Sequence, residues 1–525
     1  MIYLSNFSIA KRWCSMPPLL KQQTLIDALL HWSEKTPDKI FIHSGRDSFS
    51  FADTRVAAAR LAGFLAQRNI SAGARICLLL PRTPELLFSF LAANLIGCLP
   101  APVNYLESLE NISKTVEAIE PAVIIADATV LKDDLLEFIE KYGALFIMVN
   151  SRDQTGARGF LRWEHCAQHS PLPFLPAVAL DSLAYLNFTT GSTGLPKGAL
   201  CTHANLYWNT RSAIEIFHLT EADVHLCMFA SFAHPHELFC RALHTGGSLA
   251  LLTEISPKAV VRAVNQHQIT CMMGLAVMYK MMAEHCAGTA LPSLRIAESG
   301  GMYTPPELQR DFFAAFQVPL LSVWGSTETT GIALANSPAH RRADGSAGRV
   351  CPYYQVKLAD EEGRAVATGE IGELLFSGPG VVSGYYQDSS SFPMQDGWYR
   401  SGDLAWQDGD GFYHFAERKS GMIKVAGLKV YPLQIELVLQ QHPGVREAAV
   451  IGVEEKRHGC VPKAFVAAKE GVRLDADDLT LFCRERLAAY MVPKQFHFIK
   501  TLPKIGSGKI HKKALLHLHN LGDAA

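Results

Sequence analysis

Short apolar runs alternate with segments of helical spacing along much of this chain, and that rhythm limits the folds open to it. RICLLL at 75–80 reads as a buried strand, and PELLFSFLAANLIG at 84–97 follows with Leu86, Phe90, Leu91 and Leu95 at helical spacing. AVIIAD (122–127) and ALFIMVN (144–150) are further buried strands, separated by the helix-like LKDDLLEFIEKYG. SLALLT (248–253), PKAVVRAVNQHQ and ITCMMG repeat the pattern. Strand–helix–strand repetition of this kind predicts layered α/β structure with parallel sheets.

Beyond about residue 340 the texture changes to period-two stretches punctuated by glycine, as in YYQVKLADEEGRAVATGEIGELLFSGPGVVSGYY, which predicts a β-rich subdomain. Turn signals continue at Asp408-Gly409 and Asp410-Gly411. The tail mixes strand-like EAAVIGVEE and KAFVAAKE with a helix, DADDLTLFCRERLAA, opened by Asp475 and the acids after it. The chain, 525 residues long, exceeds one ordinary core. We therefore expect an α/β protein: a large N-terminal domain, 1–419, of layered α/β subdomains plus the β-rich subdomain, and a small α+β C-terminal domain, 420–525.

The net charge of -1 gives no global attraction to nucleic acid or to an anionic membrane. Sixteen Lys and Arg against ten Asp and Glu follow from Gly421 onward, a basic lobe on a mildly acidic body, which would suit an anionic ligand. No two of the twelve cysteines lie within four residues of each other, so no Cys-x-x-Cys pair exists and a reducing, cytoplasmic setting is expected. The apolar region from Ile76 to Val103 is broken by Arg82, Glu85 and prolines, which argues against a membrane span. Met1 to Lys21 lacks the apolar centre and small-residue cleavage site of a signal peptide.

Four stretches carry chemistry. NFTTGSTGLPKGAL (187–200) packs Thr189, Thr190, Gly191, Ser192, Thr193 and Lys197 into a phosphate cradle. It is no Walker loop, because Pro196 precedes the lysine and Gly198 follows it. Glycines let backbone N–H groups approach oxyanions, and hydroxyls and an ammonium add to them. The preceding LAYLNF places this loop at a strand's carboxyl end, where α/β ligands usually sit. In VWGSTETTG (323–331), Glu328 beside Thr327 and Thr329 suits Mg²⁺ on a nucleotide, and Trp324 offers an aromatic face for a base. In 397–436, Asp403 sits in a Gly-Asp turn able to accept ribose hydroxyls, with Arg418 and Lys424 for phosphate or ribose. LPKIGSGKIHKKAL (502–515) presents Lys509 on a loop of Gly506, Ser507 and Gly508.

In this order and at these separations, the four stretches resemble the superfamily of adenylate-forming enzymes. It includes acyl-CoA and aryl-CoA synthetases, the adenylation domains of nonribosomal peptide synthetases, and beetle luciferase. SGGMYTPPEL (299–308), GSAGRVCPYYQVKLAD (345–360) and GELLFSGPGVVSGYY (372–386) extend the resemblance over nearly the whole chain. The resemblance implies an ATP- and Mg²⁺-dependent ligase that joins a carboxylic acid to AMP and then to a thiol. Thr189 to Thr193 and Lys197 would close over the β- and γ-phosphates, Thr327 would touch the α-phosphate, and Glu328 would hold Mg²⁺. Trp324 stands where the family usually has tyrosine. Gly300, Gly301 and Met302 would pass beside the adenine and the acyl pocket. Asp403, supported by Arg418, would bind the ribose, and Lys509 would bridge the substrate carboxylate and the α-phosphate. The C-terminal domain would be a mobile lid carrying Lys509 and hinged at Ser420, where the family generally has Asp or Lys, and Gly427 would line the thiol channel.

The chain stops 16 residues after Lys509, without a carrier module, so the expected acceptor is CoA or the phosphopantetheine of a separate carrier protein. Phe232, Ala233 and His234 fill the region where peptide-synthetase domains carry an Asp for an α-amino group. His234 or His236 would take the part of a gating residue. Met273, Gly274, Met278, Val323, Thr330 and Ile332 are further wall residues. A mostly apolar wall suits a fatty or aromatic acid. A monomer or homodimer is expected, with no nucleic-acid partner.

Overall fold

The structure is a computed structural model that describes residues 23–151, 159–173, 177–190, 196–425, 427–455, 459–504 and 510–522. Gly191, Ser192, Thr193 and Lys509 lie outside the described residues. The chain divides into two compact units, Met1–Val356 with Phe376–Tyr399, and Lys357–Leu375 with Arg400–Ala525.

The first unit is built on the parallel sheets that the apolar rhythm predicts. One has nine strands in the order Arg349–Val350, Gly331–Ala335, Leu320–Ser326, Ile296–Ser299, Cys271–Gly274, Val224–Cys227, Ser248–Leu251, Ile40–Ser44 and Asp47–Ser50. Its six central strands, from Leu320–Ser326 to Ile40–Ser44, run parallel. A second sheet, also parallel throughout, orders Leu99–Pro102, Arg75–Leu79, Val123–Asp127, Leu145–Val149 and Leu161–Arg162. Helices cover these sheets because their sequences supply both a start and an apolar face. Pro257–His267, for example, opens with Ser256 accepting the Ala259 N–H and Pro257 in the first turn, buries Val260, Val261 and Val264, and ends at left-handed Gln268. These valines join Tyr279, Met282, Phe312 and Phe316 from the next two helices against Leu226, Met272, Ala297 and Leu320 of the sheet.

LAYLNF is a strand, as its residues predict: Leu183–Thr190 pairs antiparallel with Pro196–Thr202 as a two-stranded ribbon, and the loop begins at its carboxyl end. Thr189 and Thr190 therefore end one arm of this hairpin, and Lys197 lies at the start of the other. Ala184, Tyr185 and Leu186 of this strand are all buried.

The second unit contains, from Arg400 onward, the antiparallel pair formed by strands Trp398–Gln407 and Tyr413–Arg418. It also contains a sheet of Leu428–Val430, Ile423–Val425, Gly459–Ala468 and Val445–Glu455, with Gln495–Phe498 beside Gly459–Ala468. Helices Pro432–Gln440 and Ala476–Arg484 close its core through Ile435, Leu439, Leu479 and Cys483. Among the described residues no helix is long and apolar enough to cross a membrane.

Asp223 ties the starts of three neighbouring strands in the first unit. It accepts from Arg295 through both carboxylate oxygens, at 2.9 and 2.6 Å, from Thr270 Oγ1 at 2.6 Å, and from the Thr220 N–H at 2.8 Å. Burial alone would raise its pKa, but these hydrogen bonds more than offset it and hold the carboxyl down at about 2. A depressed carboxylate stabilises the fold above the unfolded pKa of about 4 and loses that contribution as pH falls towards 2. Asp223→Ala is expected to cost about 2–3 kcal/mol in urea unfolding at pH 7, with the difference from wild type shrinking below pH 4.

Candidate active site

The carboxyl ends of parallel strands are where an open α/β sheet leaves a crevice. Here four of them bring Met228–Phe229, Gly274–Leu275, Gly300–Met302 and Val323–Glu328 to one edge. Backbone hydrogen bonds set the level: Met228 N–H donates to Met273 O at 2.8 Å, and Gly300 N–H to Gly274 O at 3.1 Å. Gly300 is small by necessity, since a Cβ there would stand 2.8 Å from Val323 Cγ2. Gly301 takes φ +75°, and a Cβ there would stand 3.0 Å from Leu275 and 3.9 Å from the Phe229 ring. Phe229, Leu275 and Val323 thus pack about the two glycines as an apolar layer. Met302 is half-buried and packs on the sheet's core.

His234 is half-buried, its ring 6.2 Å from that of Phe229. His236 is engaged elsewhere: it is buried, and its Nδ1 lies 2.8 Å from the Tyr185 hydroxyl. Burial, and then the nearby Arg241 guanidinium, push its pKa down to about 3. His236 is therefore a neutral core residue, whereas His234 lies beside Phe229 at the edge of that layer.

The second part of the site is the turn joining Leu320–Ser326 to Gly331–Ala335. Its run of hydroxyl residues stitches the turn shut. Ser326 N–H donates to Thr329 Oγ1 at 3.0 Å, Thr329 N–H to Ser326 Oγ at 3.2 Å, and Thr329 Oγ1 to Gly331 O at 2.7 Å. Thr330 N–H closes on Thr327 O at 3.0 Å. Thr330 is fully buried at φ +58°, and its hydroxyl donates to Gly380 O at 2.7 Å, so that hydroxyl is engaged inside the protein. Thr327 is buried, and Glu328 is half-buried. Trp324 lies flat on Phe376, with ring centroids 4.4 Å apart and planes 5° apart, which covers one face of the indole.

The hairpin arm Pro196–Thr202 carries Lys197, while Thr189 and Thr190 end the opposite arm. Lys197 Nζ donates to Ser391 Oγ at 3.1 Å and stands 5.2 Å from the centre of the Tyr385 ring. The same tyrosine's hydroxyl donates to Glu328 Oε1 at 2.7 Å. Residues 197 and 328, far apart in sequence, thereby meet around one side chain. Among the described residues no three His, Cys, Asp or Glu side chains form a metal cage. A single carboxylate with a lysine ammonium on the same tyrosine fits Mg²⁺ carried on a nucleotide, which needs one or two carboxylates and takes its other ligands from phosphate and water.

In the second unit, Asp403 and Arg418 are register partners across the antiparallel pair, joined Nε to Oδ1 at 2.7 Å. Asp403 is almost wholly buried, whereas the Arg418 side chain is 60% exposed, so the arginine presents its charge while anchored at one atom. Ser420 lies in the short turn Lys419–Gly421, and Gly427 takes φ +85° directly before Leu428–Val430.

Sequence reasoning missed Tyr385, Phe229 and a buried ion triad. Arg241 meets Glu237 at 3.1 Å and Glu298 at 2.6 Å, all three almost inaccessible. Burial raises Glu298 to about 7 despite the arginine. The spacing of Glu237 and Arg241, four residues apart in HELFCRAL, was the available signal. Tyr385 had none, because its partners are remote in sequence.

The model of the AMP-binding enzyme family matches residues 29–386, and that of the AMP-binding enzyme C-terminal domain matches 434–509. A feruloyl-CoA synthase from Amycolatopsis sp is 33% identical over 485 residues, covering 91% of this chain and 95% of the relative. The solved benzoate CoA ligase from Burkholderia xenovorans LB400 is 28% identical, with a TM-score of 0.84 over 94% of this chain and 99% of its own. The O-succinylbenzoate Coenzyme A synthetase from Bacillus subtilis, solved with ATP and magnesium ion, is 25% identical, with a TM-score of 0.83 over 93% and 99%.

Proposed function

The chain belongs to the AMP-binding enzyme family, and from that membership we propose how its residues act as an AMP-forming acyl- or aryl-CoA ligase. The observation that carries the reading is the meeting of the Lys197 ammonium and the Glu328 carboxylate around Tyr385. A cation and a metal-binding carboxylate held by one side chain serve a polyphosphate with its Mg²⁺.

The acid's carboxylate oxygen attacks the ATP α-phosphorus, the bond to pyrophosphate breaks, and acyl-AMP forms. A thiol then attacks the acyl carbon, losing its proton, and AMP leaves. The difficulty in the first step is that two anions must meet. Lys197, with Thr189 to Thr193, binds the outgoing phosphates. Thr327 orients the α-phosphate, and Lys509 neutralises the carboxylate and the α-phosphate together. Glu328 would hold Mg²⁺, which when bound supplies positive charge to the phosphate oxygens. Asp403 and Arg418 fix the ribose, while Trp324, Gly300 and Gly301 flank the adenine. Gly427 lines the thiol path. Residues 1–419 form the adenylating domain and 420–525 a lid that swings at Ser420.

For the acid we favour an aromatic ring, laid on the apolar layer of Phe229, Gly300, Gly301 and Val323, with His234 and Met302 at its margins. The names of the feruloyl and benzoate ligases support this choice. The acceptor is CoA, with a carrier-protein phosphopantetheine as the alternative. The described cysteines, all unpaired, support a reducing cytoplasmic location.

Pyrophosphate release with ATP and Mg²⁺ should be measured over benzoates, cinnamates, fatty acids of several lengths and amino acids, with and without CoA. Benzoates or cinnamates are expected to give an acyl-CoA mass. Acyl-AMP without a CoA adduct would move the acceptor to a carrier protein, and turnover confined to fatty acids would overturn the aromatic assignment.

A further inference from the structure

Tyr385 occupies a place that neither the sequence motifs nor the assigned roles account for. It is almost wholly buried, yet its hydroxyl reaches Glu328 Oε1 at 2.7 Å and its ring stands 5.2 Å from Lys197 Nζ. Its position is set by backbone bonding to both neighbours. Residues 384–386 lie against the lysine-bearing arm of the hairpin: Leu200 N–H donates to Gly384 O at 3.1 Å, Tyr386 N–H donates to Gly198 O at 2.7 Å, and Ala199 bridges Tyr385. A few residues earlier the same segment grips the turn that holds Glu328. Val382 N–H donates to Glu328 O at 2.9 Å, and Gly380 O accepts the Thr330 hydroxyl. Asn205 Nδ2 holds the middle through the carbonyls of Pro379 and Val381, at 2.8 and 3.2 Å. Phe392 packs edge-on to Tyr385, with ring centroids 5.1 Å apart, and closes the far side.

We propose that Tyr385 is a positioning residue for adenylation, aiming the Glu328 carboxylate and seating the Lys197 ammonium so that metal and phosphates are gripped in one geometry. The inference rests on the reading of Glu328 and Lys197 as Mg²⁺ and phosphate ligands. A carboxylate that binds a metal through one oxygen is oriented by a donor on the other, and such donors influence metal affinity strongly. Here the donor is a phenol on a rigid, backbone-bonded segment. A cation over an aromatic face is held without losing its charge, so Lys197 remains available to phosphate.

The test uses the full-length enzyme with its best acid. Tyr385→Phe keeps the ring and deletes only the hydroxyl. We expect the Mg²⁺ concentration for half-maximal pyrophosphate release to rise by roughly tenfold or more. The KM for the acid and the rate of thioester formation from supplied acyl-AMP should stay unchanged. Calorimetric titration should show the same loss in the Mg²⁺-dependent part of ATP binding, without turnover. On a Glu328→Gln background the second substitution should add nothing, since the two act as one unit. Tyr385→Leu also removes the seat for Lys197, so ATP binding in EDTA should weaken as well. A Tyr385→Phe enzyme whose Mg²⁺ requirement stays within about twofold of wild type, or whose effect persists undiminished beside Glu328→Gln, overturns the proposal. Failure of the wild-type enzyme to release pyrophosphate with any acid would instead overturn the reading of the site itself.

Discussion

Lys509→Ala is expected to lower pyrophosphate release by about 10²–10³ while leaving thioester formation from supplied acyl-AMP near the wild-type rate. The reason is chemical. Only the first half-reaction forces a carboxylate onto a phosphate, and only there does an ammonium between them stabilise the charge that develops. The neighbouring lysines are not equivalent substitutes. Lys504 pairs with Glu447 at 2.6 Å, and Lys512 is held by Glu436 at 2.9 Å and Glu417 at 3.8 Å. Both lysines that flank Lys509 in sequence are thus already committed to carboxylates. A rapid-quench comparison of the two half-reactions reads the prediction directly. Equal loss of both would mean that Lys509 supports the fold or the thiol step instead. Lys504→Ala, made alongside, should change neither half-reaction by more than about twofold.

What the residues reveal on their own follows from how local each cause is. Parallel strands such as Val123–Asp127 and Cys271–Gly274 are short, buried on both faces and followed by amphipathic helices, so their own residues announce them. The Thr and Ser residues of STETTG likewise form their turn from within. The hairpin Leu183–Thr190 was harder, because burial of consecutive residues erased the alternation that marks an antiparallel arm. His236 and the Glu237–Arg241–Glu298 triad show a further limit: whether a polar residue faces a crevice or a core depends on which helices cover it. Tyr385 is the extreme case. It is bound to Glu328 and Lys197 only through tertiary structure, and nothing about a Gly-Tyr-Tyr run foretells that its first tyrosine links them. Motif resemblance nominated residues for ligand roles, and the tertiary contacts show which side chains pack around them.

Glu328→Gln is the sharper test of the metal assignment, because it preserves size and packing and removes only the charge. The amide can still accept the Tyr385 hydroxyl through its oxygen, so the local fold should persist and the melting temperature should move little. A neutral amide oxygen is a far weaker Mg²⁺ ligand than a carboxylate. We expect pyrophosphate release at fixed Mg²⁺ to fall by about 10²–10³, with partial recovery as Mg²⁺ is raised. The acid's KM should change by less than about threefold, because the apolar layer of Phe229, Gly300 and Val323 is built on other strands or other atoms. Thioester formation from supplied acyl-AMP should be spared, since pyrophosphate has already departed. That pattern separates a metal ligand from a structural carboxylate. Asp223, which ties strands together, would lower stability and both half-reactions in parallel when removed. Unchanged Mg²⁺ dependence in Glu328→Gln would show that another group holds the metal, and the roles given to Lys197 and Tyr385 around it would have to be reassigned with it.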